Sequence, residues 1–198
     1  MKPKIQEHFK KHDPALHAII AKIPKFEIKK SDDYFADLCS HIISQQLSIR
    51  VGEVIFTRFK NLFPKQEIVQ QTLLKYDNET LRKVGMSYTK VSYLKDLAQK
   101  IITKELNLSL LDEETDERVI EELTKVKGIG KWTAEMFLMN SLARKDVFSY
   151  GDLGIRKAIQ KLYKLNNEPT QKQVEKIAKN WIPYRTYACK ILWRYLAL

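Results

Sequence analysis

Apolar residues in this chain return every three or four positions almost from end to end, and no stretch alternates convincingly with the two-residue period of a strand. That pattern predicts helices throughout and no sheet. In SDDYFADLCSHIISQQ, Ser31 is the candidate N-cap, and two acids stand in the first turn, where the helix dipole favours them. Phe35, Leu38, Cys39 and Ile42 then share a face. SIRVGEVIFTRFKNLF starts at a second candidate cap, Ser48, and stops before Pro64. KQEIVQQTLLKY and DNETLRKV follow, the latter capped by Asp77 and closed by Gly85 as a left-handed C-terminal residue. YTKVSYLKDLAQKIITKEL sets Val91, Leu94, Leu97, Ala98 and Ile101 on one face. TDERVIEELTKV, KWTAEMFLMNSLA, DLGIRKAIQKLY, TQKQVEKIAKNW (Thr170 as cap, after Pro169) and YRTYACKILWRYLAL (after Pro183) complete the set. There is no linker, low-complexity tract or obvious repeat, so a single all-α domain over residues 1–198 is expected.

Charge narrows the partners. The 35 Lys+Arg against 24 Asp+Glu give +11 at pH 7. An excess of that size favours a polyanion, although a solvated lysine-rich surface would look the same. No apolar run approaches the roughly 18 residues of a membrane span. The opening MKPKIQEHFKKHDPALHAII lacks the apolar core and cleavage site of a signal peptide. The expectation is a cytoplasmic protein, nucleoid-associated in a prokaryote or nuclear in a eukaryote, with nucleic acid rather than membrane as partner. The two cysteines, Cys39 and Cys189, stand far apart among apolar residues, which argues against a disulfide framework, a zinc site or a cysteine-ligated cluster. All four histidines lie in the first 41 residues, away from the other candidate chemistry, so a serine–histidine mechanism gains no support.

Four of the six glycines fall between Val126 and Ile159. Gly128 and Gly130, in VKGIGKW, sit between two helices. Such a pair permits positive φ and lets backbone approach a ligand closely. The next helix starts near Lys131, so its free N–H groups face the turn, and Lys127 and Lys131 add charge. The result is an anion site suited to a phosphate, or an ordinary tight turn. No Gly-Lys-Ser/Thr follows, which excludes a P-loop. Gly151 and Gly154 flank Asp152, which stands where a helix N-cap would. Most such aspartates only cap. Yet FSYGDLG gathers Phe148, Tyr150 and flexible backbone around one carboxylate, as a pocket for a flat ligand would.

KGIGKWTAEM, DVFSYGDLG and PYRTYACKILWRY, in that order, resemble the helix-hairpin-helix (HhH-GPD) DNA glycosylases, in particular the alkylpurine (3-methyladenine type II) branch. HDPALHAII, HIISQQLS and VGMSYTKVSYLKDLA resemble that family too, so the likeness covers almost the whole chain. It implies a two-lobed helical fold with a central cleft. The terminal helices would form one lobe, residues of about 32–145 the other, and the helix-hairpin-helix would span about 116–143. It implies that Gly128, Gly130, Lys131 and Thr133, with Lys127, hold phosphate. Main-chain carbonyls of Thr124, Val126 and Ile129 would offer a site for a structural Na+ or K+. Gln46 would fill the gap left by a flipped base, with Ser48 nearby against the minor groove. Trp132, Met136, Tyr150, Leu153 and Trp193 would line the base pocket, and Asp152 would be catalytic. Each Trp could equally be core.

The resemblance implies a monomer acting on double-stranded DNA that holds a damaged purine. An alkylated purine is cationic and leaves without a general acid, so one carboxylate suffices to stabilise the charge on the sugar and orient water. There are departures from the family pattern. Bifunctional relatives carry a nucleophilic lysine where Trp132 stands, so no lyase step is expected. The four C-terminal cysteines of iron–sulfur relatives are missing, so no cluster or other cofactor is expected. An extra β-rich N-terminal domain has no room, and aromatics found in some relatives are replaced by Met136 and Leu153. A glycosylase for uracil, mismatched thymine or a deaminated purine, or an idle DNA-binding module, are the competing readings. Asp152 argues against the last of these, since phosphate binding gains nothing from a carboxylate.

Overall fold

Twelve α-helices and three short 3-10 turns carry the chain, with no strand, in a computed structural model that describes residues Met1–Leu198. In order they are α1 (Pro3–His12), α2 (Pro14–Ala18), α3 (Tyr34–Ser44), α4 (Ile49–Lys60), α5 (Gln70–Lys75) and α6 (Asn78–Lys83). Then come α7 (Tyr88–Ile102), α8 (Asp116–Thr124), α9 (Lys131–Asn140), α10 (Leu153–Leu162), α11 (Gln171–Lys179) and α12 (Arg185–Leu196). None is long and apolar enough to cross a membrane.

Side-chain caps set most of the starts. Ser48, Asp77, Thr115, Asp152 and Thr170 each accept a backbone N–H from the first turn they open, and Thr170 and Gln173 form a full capping box. Two starts differ from the sequence reading. The cap of α3 is Asp33, which accepts the Ala36 N–H at 2.9 Å, while Ser31, two residues earlier, accepts the Asp33 N–H through its Oγ. α5 begins at Gln70 rather than near Lys65, because Lys65 and Gln66 take positive φ (53° and 59°) and break the helical path. α7 also stops at Ile102, short of the KEL that follows, where Lys104 turns to φ 62°.

The chain divides into two compact units, Ser31–Phe137 on one hand and Met1–Lys30 with Leu138–Leu198 on the other, the boundary falling inside α9. In the first, α7 is the central post: α3, α5 and α6 pack on it, and Val91, Leu94, Leu97 and Ala98 are buried. α5 and α6 have six residues each, too short to stand alone in water. Their buried Leu73 and Leu81 hold them, at about 1.5–3 kcal/mol for each such side chain.

In the second unit α10 packs on α12 and α1 on α2. Asp13, in this unit, is a buried carboxylate. It caps α2 through the Leu16 N–H (3.0 Å), accepts the indole N–H of the fully buried Trp181 (2.7 Å), and accepts the hydroxyl of Tyr163. Burial, then Asp13, pushes the Tyr163 phenol well up. A polar group so buried is tolerable because its oxygens are hydrogen-bonded.

Candidate functional site

The sequence-predicted residues fall into two groups, one in each unit. In the Ser31–Phe137 unit, α8 ends at Thr124 and a short turn leads into α9 at Lys131. Gly128 has φ +80°, and a Cβ there would lie 2.0 Å from Cδ2 of Tyr93, so the position demands glycine on both grounds. Gly130 differs. Its carbonyl accepts the Ala134 N–H at 3.0 Å, opening α9, and a Cβ on it would meet nothing within 4 Å. The first amides of a helix lack acceptors within it, and with no side chain at Gly130 the start of α9 is the kind of place an anion can approach.

Two of the proposed phosphate ligands depart from expectation in detail. The Lys127 N–H is committed to Asp96 Oδ2 at 2.8 Å, and its ammonium lies 3.8 Å from the same carboxylate, which offsets its charge. Thr133 is buried and its hydroxyl accepts from Gln45 Nε2 at 3.2 Å, leaving its backbone N–H, in the first turn of α9, to meet a ligand. Lys131 is exposed, 4.0 Å from Glu135. Trp132 is 42% exposed and Met136 is buried. Gln46 is exposed and left-handed at φ 58°, a conformation rare outside glycine that projects its side chain from the bend between α3 and α4. Ser48 is exposed and caps α4, Oγ accepting the Val51 N–H at 3.4 Å.

The carbonyls of Thr124, Val126 and Ile129 lie at the C-terminal end of α8 and in the turn. Val126 O accepts the Ile129 N–H at 3.1 Å, which leaves a carbonyl's second lone pair. Neutral oxygens at the negative end of a helix suit a weakly held monovalent cation and not a transition metal. No group of three or more His, Cys, Asp or Glu is placed to hold a metal ion. Cys39 and Cys189 are both buried, and burial pushes the Cys189 thiol up to about 12 and that of Cys39 well above its usual range.

In the other unit, Asp152 caps α10 and is 9% exposed. Its Oδ1 accepts the Ile155 N–H at 2.8 Å and the indole N–H of Trp193 at 2.9 Å. Gly154 makes room for that pair: a Cβ would lie 3.1 Å from Asp152 Oδ1 and 3.4 Å from Trp193 Cδ1. A Cβ on Gly151 would meet nothing within 4 Å. The loop ahead of Asp152 is held by Arg156, whose Nη1 donates to the carbonyls of Tyr150 (3.1 Å) and Gly151 (3.3 Å) while Nε pairs with Glu168 at 2.6 Å. Tyr150 is half-buried and Leu153 is 48% exposed. The start of α12 is fastened upstream of the same loop, Arg185 to Asp146 at 2.8 Å and Thr186 Oγ1 to the carbonyl of Arg144 at 2.6 Å.

Trp193 is therefore neither plain core nor free-standing. It is half-buried and orients the carboxylate. One turn back, Lys190 bonds Asn140, and its Nζ lies 5.6 Å from the Trp193 ring centroid. Burial pushes its ammonium down to about 8. A carboxylate fixed by two N–H donors beside an aromatic ring can stabilise a nearby positive charge or take a proton from water. Sequence reasoning missed Gln45, Lys90, Tyr93, Asp96, Arg156 and Lys190. The one local signal was the three-residue spacing of Lys90, Tyr93 and Asp96 along α7.

Comparison with known proteins gives a consistent result. Residues 39–184 match the family described as HhH-GPD superfamily base excision DNA repair protein. DNA-3-methyladenine glycosylase 1 of Schizosaccharomyces pombe is 36% identical over 181 residues, covering 86% of this chain and 75% of the relative. The crystal structure of a DNA-3-methyladenine glycosidase from Bacillus halodurans superposes with a TM-score of 0.83 at 32% identity, over 98% of this chain and 89% of that one. A Schizosaccharomyces pombe 3-methyladenine DNA glycosylase in complex with abasic DNA gives 0.86 at 30% identity, over 96% and 95%. The match over most of the length, with hairpin and capped aspartate inside it, makes this chain a member of the HhH-GPD superfamily of base excision DNA repair proteins.

Proposed function

We propose that this protein is a monofunctional DNA glycosylase that flips alkylated purines out of duplex DNA and hydrolyses their glycosidic bonds. The observation that carries the reading is Asp152, a single carboxylate held by Ile155 and Trp193 with glycines on either side. The names of its relatives support the substrate, and the abasic-DNA complex of one of them supports DNA as partner.

The steps follow from the groups present. Backbone amides of Gly130 and the first turn of α9, with Lys131, take the phosphates beside the target nucleotide. Gln46, projecting from its left-handed bend, fills the gap in the stack, with Ser48 beside it, which offsets part of the few kcal/mol that flipping costs. The base meets Tyr150, Leu153 and Trp193, in the unit that holds Asp152. Its positive charge favours an aromatic face by roughly 0.5–2 kcal/mol. It departs with the bonding electron pair and so becomes neutral. Asp152 stabilises the positive charge left on the sugar and orients the water that attacks it, taking up its proton. A Na+ or K+ on the carbonyls of Thr124, Val126 and Ile129 would add positive charge near the bound phosphate. With Trp132 where a Schiff-base lysine would stand, hydrolysis is the whole reaction.

The test is incubation with methylated duplex DNA and identification of what is released. Free 3-methyladenine and 7-methylguanine are expected, with strands intact until alkali is added and no protein–DNA adduct trapped by borohydride. Release of uracil or thymine in place of alkylated purines would overturn the substrate, and efficient trapping would overturn the monofunctional reading.

A further inference from the structure

Lys90, Tyr93 and Asp96 follow one another at three-residue steps along α7, so they lie along one edge of that helix. The ammonium of Lys90 donates to the carbonyls of Ile43 (2.7 Å) and Gln45 (2.8 Å), where α3 ends. Tyr93 fills the space beneath Gly128 that any Cβ would need. Asp96 accepts the Lys127 N–H at 2.8 Å. Gln45 closes the circuit, its Nε2 donating to the carbonyl of Gly128 at 2.8 Å and to Thr133 Oγ1 at 3.2 Å. The bend after α3 and the glycine hairpin are thus each fastened to α7 and fastened to each other.

What this fixes is the residue after Gln45. Gln46 sits at φ 58°, which an L side chain adopts only where its surroundings impose it. Lys90 holds the Gln45 carbonyl, and that carbonyl belongs to the peptide plane shared with Gln46, so the clamp sets the direction in which Gln46 leaves the bend. A lysine that only neutralised the end of α3 could do so from solvent. Lys90 is instead half-buried, and burial holds its ammonium below its usual range. α7 itself, at 15 residues the longest helix, is immobilised by its buried face.

We infer that Lys90 and Gln45 are positioning residues that hold Gln46 at a set distance from the phosphate-binding hairpin, so that gap filling and phosphate capture occur in one register on the duplex. The inference rests on Gln46 as the gap-filling residue. Neither Lys90 nor Gln45 needs to touch DNA for this.

The test compares affinity for duplex holding an abasic site with affinity for undamaged duplex, in Lys90→Met and Gln45→Met. Either change is expected to lower the preference for the abasic site on the order of tenfold, with undamaged binding and its salt dependence kept. In a Gln46→Ala background neither should lower it further, since both act through Gln46. Equal loss on both DNAs with the preference intact, or additive effects with Gln46→Ala, would overturn the inference and leave a structural role. Should Lys90→Met fail to fold, Gln45→Met decides alone. If Gln46→Ala leaves the preference unchanged, the gap-filling reading falls and the inference with it. If Gln46→Ala lowers it while Lys90→Met and Gln45→Met do not, only the clamp is overturned.

Discussion

Asparagine separates the cap that Asp152 forms from the catalytic role proposed for it. As a cap it accepts the Ile155 N–H, and an amide oxygen does that nearly as well. The same oxygen can keep the Trp193 N–H. What asparagine cannot supply is negative charge facing a cationic sugar. Asp152→Asn should fold with stability within about 1 kcal/mol of the parent, and still bind abasic-site DNA. Excision of 3-methyladenine should fall by about 10²–10³ or more, the usual cost of a lost electrostatic stabiliser. The residual rate should be greatest for the most labile lesions. Near-parental excision of every alkylated purine would reduce Asp152 to a cap. The carboxylate was legible in the sequence because capping is local, three residues from acceptor to donor. Its second donor was not, because Trp193 is 41 positions away and only the packing of α10 on α12 brings it in.

The hairpin makes the same point for an element. Two glycines two residues apart look alike in sequence, yet their surroundings predict opposite phenotypes. Gly128→Ala must hold φ +80° and displace Tyr93, so a loss of about 1–3 kcal/mol from backbone strain alone is expected. That should appear as a fall of several degrees in Tm. Gly130→Ala meets nothing, so it should keep Tm within a few degrees, about 1 kcal/mol at most for a poorer N-cap. It should weaken duplex binding if phosphate docks there as proposed, because the new methyl enters the open space beside the turn. The reverse pattern, with Gly128→Ala stable and Gly130→Ala unfolded, would contradict the geometry. Helix existence was readable from periodicity and most starts from Ser, Thr and Asp caps. Ser31 and Asp33 compete for one start, and sequence alone cannot say which amide each will reach. Lys65 and Gln66 leave the helical path at residues that carry no turn signature of their own. The clamp of Lys90, Gln45 and Gly128 spans 83 residues at its widest and becomes visible only once α3, α7 and the hairpin are assembled.

At the scale of the whole molecule, the +11 charge is unevenly divided between the units. The unit Ser31–Phe137, which bears the hairpin, has 15 Lys+Arg against 17 Asp+Glu, while the terminal unit has 20 against 7. The grip proposed for the hairpin would therefore rest mostly on backbone amides, since Asp96 and Glu135 stand beside its two lysines. Counterion release follows the cations that actually neutralise phosphates, each contributing about 0.9 to the slope of log affinity against log salt. If the excess charge serves DNA, that slope belongs chiefly to the terminal unit. Lys172, Lys176 and Lys179 are exposed along α11 and give the cleanest test, since none of them is near the start of α10, where Asp152 sits in the sequence. Undamaged-duplex affinity should fall steeply between about 50 and 200 mM salt. Glutamine at all three positions should flatten the slope by roughly 1–3, more than glutamine at Lys127 and Lys131 together. An unchanged slope in the α11 variant would mean that those lysines are solvated surface and that the near-neutral unit carries the electrostatics of binding after all.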